Sequence, residues 1–369
     1  MKLTTKFLYI SLLFLFSCIR QPIEPIPQPN ANIDTSYQTI GLYVLNEGLF
    51  NMNNSTLTYF DFATKTAHTD FFNTKNGRKL GDTGNDIAIY GKKMYIVVNA
   101  SSQIEVLDAY TAISIKQIPI FNGNKPRQPR SIAFYKSKAL VCSFDGTVAV
   151  IDTATLLVEN YINVGRNPDG IAVVGNKLYV SNSGGLDFPN YDNTVSVIDL
   201  KTQTEIKRIK VQINPYTLNA DKYGDLYVVS RGNYNDVPMC LQIIDTQADT
   251  LKYTFPNLEV LNFTICGDSA YLYYFDFMNG TSGKIMILDV LNETILSTNF
   301  IADGTNLSTP YGIAVDKISG DVFITNAKGF VNKGEVFCFD KQGKKKYSFQ
   351  TGLNPAKMCF LYKMNIQTN

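Results

Sequence analysis

Several side chains that carry chemistry in other proteins are scarce or absent in this chain of 369 residues. It has no tryptophan, a single histidine (His68) and a formal net charge of +2. One imidazole disfavours a histidine-rich metal site and most histidine-dependent catalysis. The small net charge, and the lack of a Lys/Arg cluster interleaved with aromatic residues, argue against nucleic acid as a partner.

A long apolar run occurs at the N-terminus. FLYISLLFLF (7–16) follows Lys2 and Lys6 and is too short to span a bilayer, which predicts a signal peptide over 1–17. Cys18 follows in LFSC, the place of the lipidated cysteine of a bacterial lipoprotein. A secretory signal that happens to contain a cysteine stays open as the alternative. The next stretch is rich in Pro and Gln, so we expect a tether over 18–38 and the folded domain over 39–369.

Cysteine is also sparse in the rest of the chain. None of these residues has CxxC spacing, and they lie in or beside apolar strand-like runs: Cys142, Cys240, Cys266, Cys338 and Cys359. This pattern predicts small buried hydrophobic side chains, with one disulfide between neighbouring strands as the alternative.

The chain repeats an alternating apolar segment that ends in aspartate. The copies are TLTYFD (56–61), QIEVLD (103–108), TVAVID (147–152), TVSVID (194–199), LQIID (241–245), KIMILD (284–289) and EVFCFD (335–340). Successive aspartates are 44 to 51 residues apart. A period near 45 residues with four short strands in each period is typical of a β-propeller. We therefore predict an all-β fold, a seven-bladed propeller of four-stranded antiparallel blades.

The repeated aspartate has a structural explanation. It opens a tight turn between two strands, where its carboxylate accepts the backbone N–H two residues on. The seven aspartates are thus predicted to be turn residues and not seven acid catalysts. We also expect the innermost strand of each blade to be buried on both faces and the outer strands to alternate.

The two ends of the chain supply parts of one repeat. GLYVLNEG (41–48) resembles a second strand, and NPAKMCFLYK (354–363) resembles the opening of an innermost strand, NPDGIAVVGNK (167–177). The C-terminal strand is therefore predicted to pair with the N-terminal blade and close the ring, which removes exposed sheet edges. Two stacked sandwiches, the alternative fold, do not explain why both ends contribute to one repeat.

The long connections are predicted to share one face of the propeller, called here the long-loop face. They are 46–55, 69–86, 119–130, 181–193, 230–239, 275–283 and 326–334. The short hairpin turns form the opposite, short-turn face. Long loops on one rim of a rigid scaffold are where ligand contacts usually collect.

The long-loop face combines aromatic, amide and cationic side chains. The candidate ligand-binding residues are Asn46, Phe50, Asn51, Asn85, Asp86, Asn99, Arg127, Arg130, Asn182, Phe188, Tyr191, Arg231, Tyr234, Phe277, Asn326 and Phe330. This mixture suits a large, roughly neutral, amphipathic ligand with many amides or hydroxyls. The bland alternative is that these residues form and pack the loops.

The sequence offers little for catalysis or metal binding. Asp187 and Asp192 lack the regular spacing of a calcium loop, and no GxSxG motif is present. Glu47, Asn99 and Asn182 imitate a lactonase-type metal site only weakly. We expect no catalytic residues, no metal and no cofactor.

The repeats NPDGIAVVGNKLYVSNSG and NTVSVIDLKTQTEIKRI resemble the YVTN/YncE-like propeller family across nearly the whole mature chain. Two segments further resemble the propeller lipoproteins of Bacteroides-type bacteria, including those of the BtuG type. These segments are GLYVLNEGLFNMNNSTLTYFDFATKTA and LGDTGNDIAIYGKKMYIVVNASSQIEVLD.

The resemblance implies a lipid-anchored, non-enzymatic protein of the outer membrane, facing the cell exterior. It implies capture of cobalamin (vitamin B12) or a related corrinoid and delivery to a TonB-dependent transporter. Two alternatives stay open: a scaffold that docks on proteins beside a transporter of another nutrient, and a metal-dependent lactonase-like hydrolase.

Overall fold

The computed structural model describes residues 33–276 and 283–368. The chain divides into two compact units, one of residues 37–363 and one of residues 1–36 with 364–369. In the second unit the described residues, 33–36 and 364–368, are extended strand. The predicted signal peptide and Cys18 lie outside the described residues.

The described residues form thirty strands and one short helix. In chain order these are β1 (Ile33–Asn46), β2 (Thr56–Asp61), β3 (Thr66–His68), α1 (Phe71–Asn76), β4 (Gly84–Tyr90), β5 (Lys93–Val98), β6 (Gln103–Asp108), β7 (Ser114–Pro119), β8 (Phe121–Asn122), β9 (Lys125–Pro126), β10 (Pro129–Tyr135), β11 (Lys138–Ser143), β12 (Thr147–Asp152), β13 (Val158–Asn163), β14 (Pro168–Val174), β15 (Lys177–Asn182), β16 (Thr194–Asp199), β17 (Thr204–Lys210), β18 (Pro215–Ala220), β19 (Asp225–Ser230), β20 (Cys240–Asp245), β21 (Thr250–Thr254), β22 (Asn262–Cys266), β23 (Ser269–Tyr274), β24 (Lys284–Asp289), β25 (Thr294–Ser297), β26 (Pro310–Val315), β27 (Val322–Asn326), β28 (Lys333–Phe339), β29 (Lys345–Leu353) and β30 (Pro355–Thr368).

The strands form seven four-stranded blades arranged in a ring, as predicted. Blade 1 has the order β30-β1-β2-β3, and blades 2 to 7 are β4–β7, β10–β13, β14–β17, β18–β21, β22–β25 and β26–β29. The paired strands described within the blades are antiparallel, for example β15 and β16 with Val180 opposite Ser196. The C-terminal strand β30 is the innermost strand of blade 1, so the predicted closure of the ring is confirmed.

The closure is reinforced at the end of β1. The backbone N–H of Glu47 donates to the carbonyl of Asn354 at 2.8 Å, and that of Gly48 donates to Leu353 at 3.1 Å. The Asn354 amide returns a 2.8 Å bond to the Gly48 carbonyl. These bonds connect the end of β1 to the residues just before β30. Both ends of the chain are therefore needed for blade 1.

All seven repeat aspartates act as turn residues. Each carboxylate accepts the backbone N–H of the residue two positions on, at 2.7 to 3.0 Å: Asp61, Asp108, Asp152, Asp199, Asp245, Asp289 and Asp340. The prediction that they are structural is confirmed. His68 lies at the end of the outermost strand of blade 1.

Burial within a blade differs from the prediction. The second strands are the most buried: in β5, β11, β15 and β19 only the first residue is partly exposed. The innermost strands are partly exposed, as at the last three residues of β14, Ala172–Val174. The expectation that innermost strands are buried on both faces is wrong, because residues of these strands line a central channel.

Some local elements have no counterpart in the repeat. Helix α1 and the small hairpin β8–β9 lie in connections between blades, and α1 ends at Gly77, whose φ of 66° is the left-handed region that suits glycine. The cysteines within the described ranges are all free thiols; Cys142, Cys240 and Cys338 are buried, and Cys266 and Cys359 are partly buried. Within those ranges no helix has the length and apolar character needed to cross a membrane.

Candidate ligand-binding site

The first residues of the seven innermost strands meet at the long-loop end of the channel. One residue from each strand faces this region: Asn85, Arg130, Asp169, Tyr216, Asn262, Tyr311 and Ala356. In five blades this residue directly follows a proline, as in Pro215–Tyr216 and Pro310–Tyr311. Proline suits the first position of a strand, where its missing N–H disturbs the ladder least. The repeat therefore fixes the backbone here and leaves the next side chain free to vary.

A cavity of about 210 Å³ occupies this end of the channel and is called here the channel-mouth cavity. Its polar lining is Glu47, Asn85, Arg130, Tyr216, Arg231, Asn262, Tyr273, Tyr311 and Lys357, and its apolar lining is Leu261, Phe275 and Ala356. A second cavity of about 220 Å³ continues along the channel and shares Asn85, Tyr216, Asn262, Ala356 and Lys357 with the first.

Arg130 is held rigidly at the edge of the cavity. Its Nε donates to Asp169 Oδ1 at 2.8 Å, and its guanidinium lies over the ring of Phe144 at 4.6 Å from the centroid. The Asn85 amide donates to the Arg130 carbonyl at 2.6 Å. Burial alone would lower the pKa of Arg130, but the neighbouring Asp169 carboxylate raises it above its ordinary value. The charge of Arg130 is therefore largely compensated within the protein.

Glu47 and Tyr311 form a second fixed pair. The Tyr311 hydroxyl donates to Glu47 Oε2. Burial raises the pKa of Glu47, and the hydrogen bond from Tyr311 together with the charges of Arg130 and Arg231 opposes that rise. Burial, and then the Glu47 carboxylate, hold the pKa of Tyr311 well above its ordinary value. The hydroxyl of Tyr311 therefore keeps its proton and remains a donor.

Arg231 and Lys357 are the cations of the cavity that are held without an ion pair. The Arg231 guanidinium carbon lies over the Tyr216 ring, 3.4 Å from the centroid. Within 33–276 and 283–368, neither side chain forms an ion pair or a hydrogen bond with another residue. This cation–π contact holds the guanidinium in place and leaves its N–H donors unused.

The long loops carry strongly exposed hydrophobic side chains, which are called here the rim. Six large hydrophobic side chains on the long loops are exposed by between 60% and 72%: Phe50, Met52, Leu186, Phe188, Tyr234 and Val331. The rings of Phe188 and Tyr191 lie 6.0 Å apart, and those of Tyr191 and Tyr234 lie 6.2 Å apart. These three rings, called here the aromatic trio, connect the loops of blades 4 and 5.

Arg166 positions the loop that carries two members of the trio. Its guanidinium bonds to Asp187 at 2.5 Å, to Asp192 at 2.7 Å and to the Asn190 carbonyl at 2.9 Å. These bonds connect both ends of the segment to one planar group. They hold Phe188 and Tyr191 outward from a loop that contains no regular secondary structure.

The sequence-predicted site residues fall into distinct places. Asn85, Asp86, Arg130 and Arg231 line the two channel cavities, and Phe330 lies beside them with its ring 5.4 Å from that of Tyr311. Phe50, Phe188, Tyr191 and Tyr234 form the rim, and the backbone N–H of Asn51 donates to Asp82. Phe277 lies outside the described residues.

Five other predicted residues are engaged within the blades. Asn46, Asn99, Asn182 and Asn326 are buried at the ends of second strands, and their amides bond to nearby strands and turns. Arg127 pairs with Asp145 and lies 3.8 Å from the centroid of the Tyr161 ring. The structure thus places these side chains in the scaffold, apart from the channel-mouth cavity.

Sequence reasoning missed Tyr216, Tyr273, Tyr311 and Lys357 as cavity residues. Tyr216 and Tyr311 were detectable as the residues after the repeat proline, and Lys357 follows the same motif by one further position. Tyr273 carries no such mark because it lies in a second strand, among many apolar residues. Across the described part of the chain, no three His, Cys, Asp or Glu side chains come close enough together to hold a metal ion.

Comparisons with solved structures identify the same architecture. The chain is similar to Kuenenia stuttgartiensis hydrazine synthase, with a TM-score of 0.62, 16% identity and coverage of 75% of this chain and 89% of that chain. It is similar to a quinoprotein alcohol dehydrogenase-like protein from Bacteroides thetaiotaomicron, with a TM-score of 0.61, 16% identity and coverage of 87% and 78%. It is also similar to BamB from Moraxella catarrhalis, with a TM-score of 0.50, 16% identity and coverage of 77% of this chain and 83% of that chain. At such identities the likeness shows the fold alone.

A search of curated proteins gives no match to this sequence. Residues 40–361, which span the ring from β1 to β30, match a family described as a domain of unknown function, DUF5074. Because that match covers most of the chain, the protein belongs to the DUF5074 family.

Proposed function

We propose that this protein is a lipid-anchored, non-enzymatic binding protein of the outer membrane, facing the cell exterior. It captures cobalamin or a related corrinoid on the long-loop face and passes it to a TonB-dependent outer-membrane transporter. The resemblance of the repeats to BtuG-type lipoproteins motivates the choice of ligand. The asymmetric long-loop face is the observation that carries the proposal.

An exposed apolar rim around a polar cavity matches an amphipathic ligand. The neighbouring rings of the aromatic trio supply exposed contact area for a flat macrocycle, and clustered exposed apolar surface commonly marks a binding site. The channel-mouth cavity supplies donors and acceptors for a peripheral polar group. Both features occur on the same face and share the inner ends of the long loops.

The size of the cavity determines how such a ligand is placed. At about 210 Å³ it is smaller than the pockets of roughly 300–1,000 Å³ that enclose drug-sized ligands. A corrinoid is too large to enter it. We therefore place the macrocycle across the rim, against the aromatic trio, with only one side group in the cavity.

The proposed membrane anchor rests on the sequence at the N-terminus. The apolar run of 7–16 ends at Cys18, which takes the place of a lipidated cysteine. Replacing Cys18 with Ala is expected to move the protein from the membrane fraction to the soluble fraction. Unchanged membrane fractionation of that variant contradicts lipid anchoring through Cys18.

Titration with cyanocobalamin tests the proposed ligand. The wild-type protein is expected to bind it, retain its visible absorbance on gel filtration and melt at a higher temperature in its presence. A Phe188→Ser/Tyr234→Ser double variant is expected to bind at least about tenfold more weakly, because two rim rings lose their contact area. Leu296→Ser is the matched control, since Leu296 is similarly exposed but lies on the outer strand β25.

Absence of binding by the wild-type protein contradicts corrinoid capture. In that case the same apolar rim supports the second candidate, a scaffold that docks on a protein beside a transporter of another nutrient. A rim variant that binds cyanocobalamin as tightly as the wild type places the ligand elsewhere on the molecule.

A further inference from the structure

The lining of the channel-mouth cavity has more cationic than anionic side chains. Arg130, Arg231 and Lys357 line it, against the single carboxylate of Glu47. Arg130 is paired with Asp169, which lies beside the deeper cavity. The charges that remain without an ion pair are those of Arg231 and Lys357. Lys357 also lines the deeper cavity, where its charge opposes the rise that burial causes in the pKa of Asp86.

The two cations without an ion pair, Arg231 and Lys357, differ in how well they are positioned. Arg231 is fixed by its stacking on Tyr216, whereas Lys357 follows Ala356 near the start of β30. A guanidinium held in one plane presents its N–H donors as a fork that matches a carboxylate or phosphate. A lysine ammonium adds a point charge that accepts many geometries. Such a pair is suited to one oxyanion.

The other polar groups of the cavity are compatible with a bound oxyanion. The Glu47 carboxylate accepts the hydroxyl of Tyr311, and burial raises the pKa of Glu47, so its negative charge is disfavoured there. Tyr273 donates to the Tyr311 carbonyl at 2.5 Å and is thereby occupied. The hydroxyl donors of Tyr273 and Tyr311 are thus used within the protein, whereas the N–H donors of Arg231 and Lys357 are available to a ligand.

We propose that the channel-mouth cavity is a subsite for an oxyanion, a phosphate or a carboxylate, which Arg231 binds through its guanidinium edge with Lys357 as a second cation. This inference rests on the proposed function in one respect: the oxyanion is a side group of the ligand whose body lies on the rim. For cobalamin that group is its phosphodiester, the one anionic group among the side chains of the macrocycle.

Inorganic phosphate and acetate test the subsite without the proposed ligand. Each is titrated into the full-length protein at constant ionic strength kept with NaCl, with melting temperature and calorimetry as readouts. Phosphate is expected to stabilise the wild-type protein, and Arg231→Gln is expected to weaken phosphate binding at least about tenfold. Lys357→Gln is expected to have a smaller effect in the same direction, and Arg231→Lys an intermediate one because the charge remains but the fork is lost.

Lys210→Gln is the matched control. Lys210 is an exposed cation at the long-loop end of β17, away from the cavity lining. The Lys210→Gln variant should bind phosphate with the same affinity as the wild type. No stabilisation of the wild type beyond that given by chloride, or equal phosphate affinity in Arg231→Gln, Lys357→Gln and the wild type, overturns the subsite. If Arg231→Gln does not fold, Lys357→Gln and Arg231→Lys carry the test.

Cobinamide separates failure of the subsite from failure of the proposed ligand, because it keeps the corrin ring but lacks the phosphate-bearing nucleotide loop. Arg231→Gln is expected to weaken cyanocobalamin binding and to leave cobinamide binding unchanged. Equal effects on both ligands, or none on either, overturn the assigned role of Arg231 although corrinoid capture stands. Phosphate binding through Arg231 without any corrinoid binding upholds the subsite and removes the corrinoid.

Discussion

The two faces of the propeller are built by opposite rules. On the short-turn face the same hairpin recurs, with an aspartate that caps a backbone N–H in every blade. On the long-loop face the connections differ in length and composition and carry most of the strongly exposed hydrophobic side chains. Repetition on one face and variation on the other indicate that the first maintains the fold and the second is free to acquire a ligand.

The carboxylates of the two faces also differ in their pKa values. On the short-turn face, the backbone N–H of Thr111 lowers the pKa of Asp108, and that of Ala248 lowers the pKa of Asp245. In the channel, burial raises the pKa values of Glu47 and Asp86. Solvated turns stabilise a charge by hydrogen bonding, whereas the channel penalises it by desolvation. The channel therefore has the perturbed groups that are typical of a functional site.

The largest expected effect comes from removing β30, because both faces of the propeller depend on a closed ring. Deletion of residues 355–369 removes all of β30 and leaves the inner edge of β1 unpaired. Blade 1 then loses the side that lines the channel, and a ring cannot close around the gap. We expect the truncated protein to lose its cooperative unfolding transition, measured by circular dichroism on heating.

A shorter deletion provides the control. Removing residues 364–369 leaves the unit of residues 37–363 intact and should preserve a cooperative transition. A well-folded protein without residues 355–369 contradicts ring closure by β30.

A pair of aspartates from one blade separates stability from binding. Asp199→Ala removes the 2.7 Å acceptor for the Lys201 N–H on the short-turn face and is expected to cost about 1 kcal/mol of unfolding free energy with unchanged cyanocobalamin affinity. Asp187→Ala releases one of the bonds to Arg166 and is expected to weaken binding several-fold at nearly unchanged stability, since both partners are half-exposed. Urea unfolding and calorimetric titration measure the two effects.

Asp199→Asn keeps an acceptor oxygen in the turn and should recover most of the lost stability. The opposite pattern, with binding lost at Asp199 and stability lost at Asp187, contradicts the division of roles between the faces.

The smallest effect is expected at Glu47 and depends on pH. Burial raises its folded pKa above the ordinary value of 4.5, so the folded protein holds this proton to higher pH than the unfolded chain does. The contribution of Glu47 to stability is therefore greatest below pH 4.5 and declines as the pH rises through the folded pKa. Glu47→Gln cannot ionise and keeps an oxygen for the Tyr311 hydroxyl. We expect it to melt about 1 °C above the wild type at pH 8 and at the same temperature at pH 4.

Asp108, an aspartate of the short-turn face, is the comparison for that test, because its pKa is shifted in the opposite direction from that of Glu47. The lowered pKa of Asp108 gives stability that is present above pH 3.8 and is lost as the pH falls through the folded pKa. Asp108→Asn should therefore be destabilising at pH 8. A Glu47→Gln variant that is less stable than the wild type at pH 8 contradicts the desolvation of Glu47.

The fold was predictable from the sequence because the repeat carries it. The aspartate that ends TVAVID and TVSVID marks the same hairpin in every blade, and the matching segments at the two chain ends give the ring closure. Helix α1 was not predictable, because FFNTKN occurs once, outside the repeat, and has no hydrophobic period long enough to indicate a helix.

The site was only partly predictable for a related reason. Loop length indicated the face, but buried Asn182 and the cavity residue Arg231 look alike in a list of polar residues near strand ends. What separates them is whether the side chain points between strands or into the channel, which depends on the pleat and on the bulges near the start of the innermost strands. One sequence does not specify that direction.

The central claim, that ligand binds the variable face and not the repetitive one, is tested most directly by hydrogen–deuterium exchange with and without cyanocobalamin. The account predicts new protection in the loops 183–193 and 231–239 and at the starts of the innermost strands, and unchanged exchange in the seven aspartate turns. Protection confined to the aspartate turns, or no change anywhere at saturating cyanocobalamin, would contradict it.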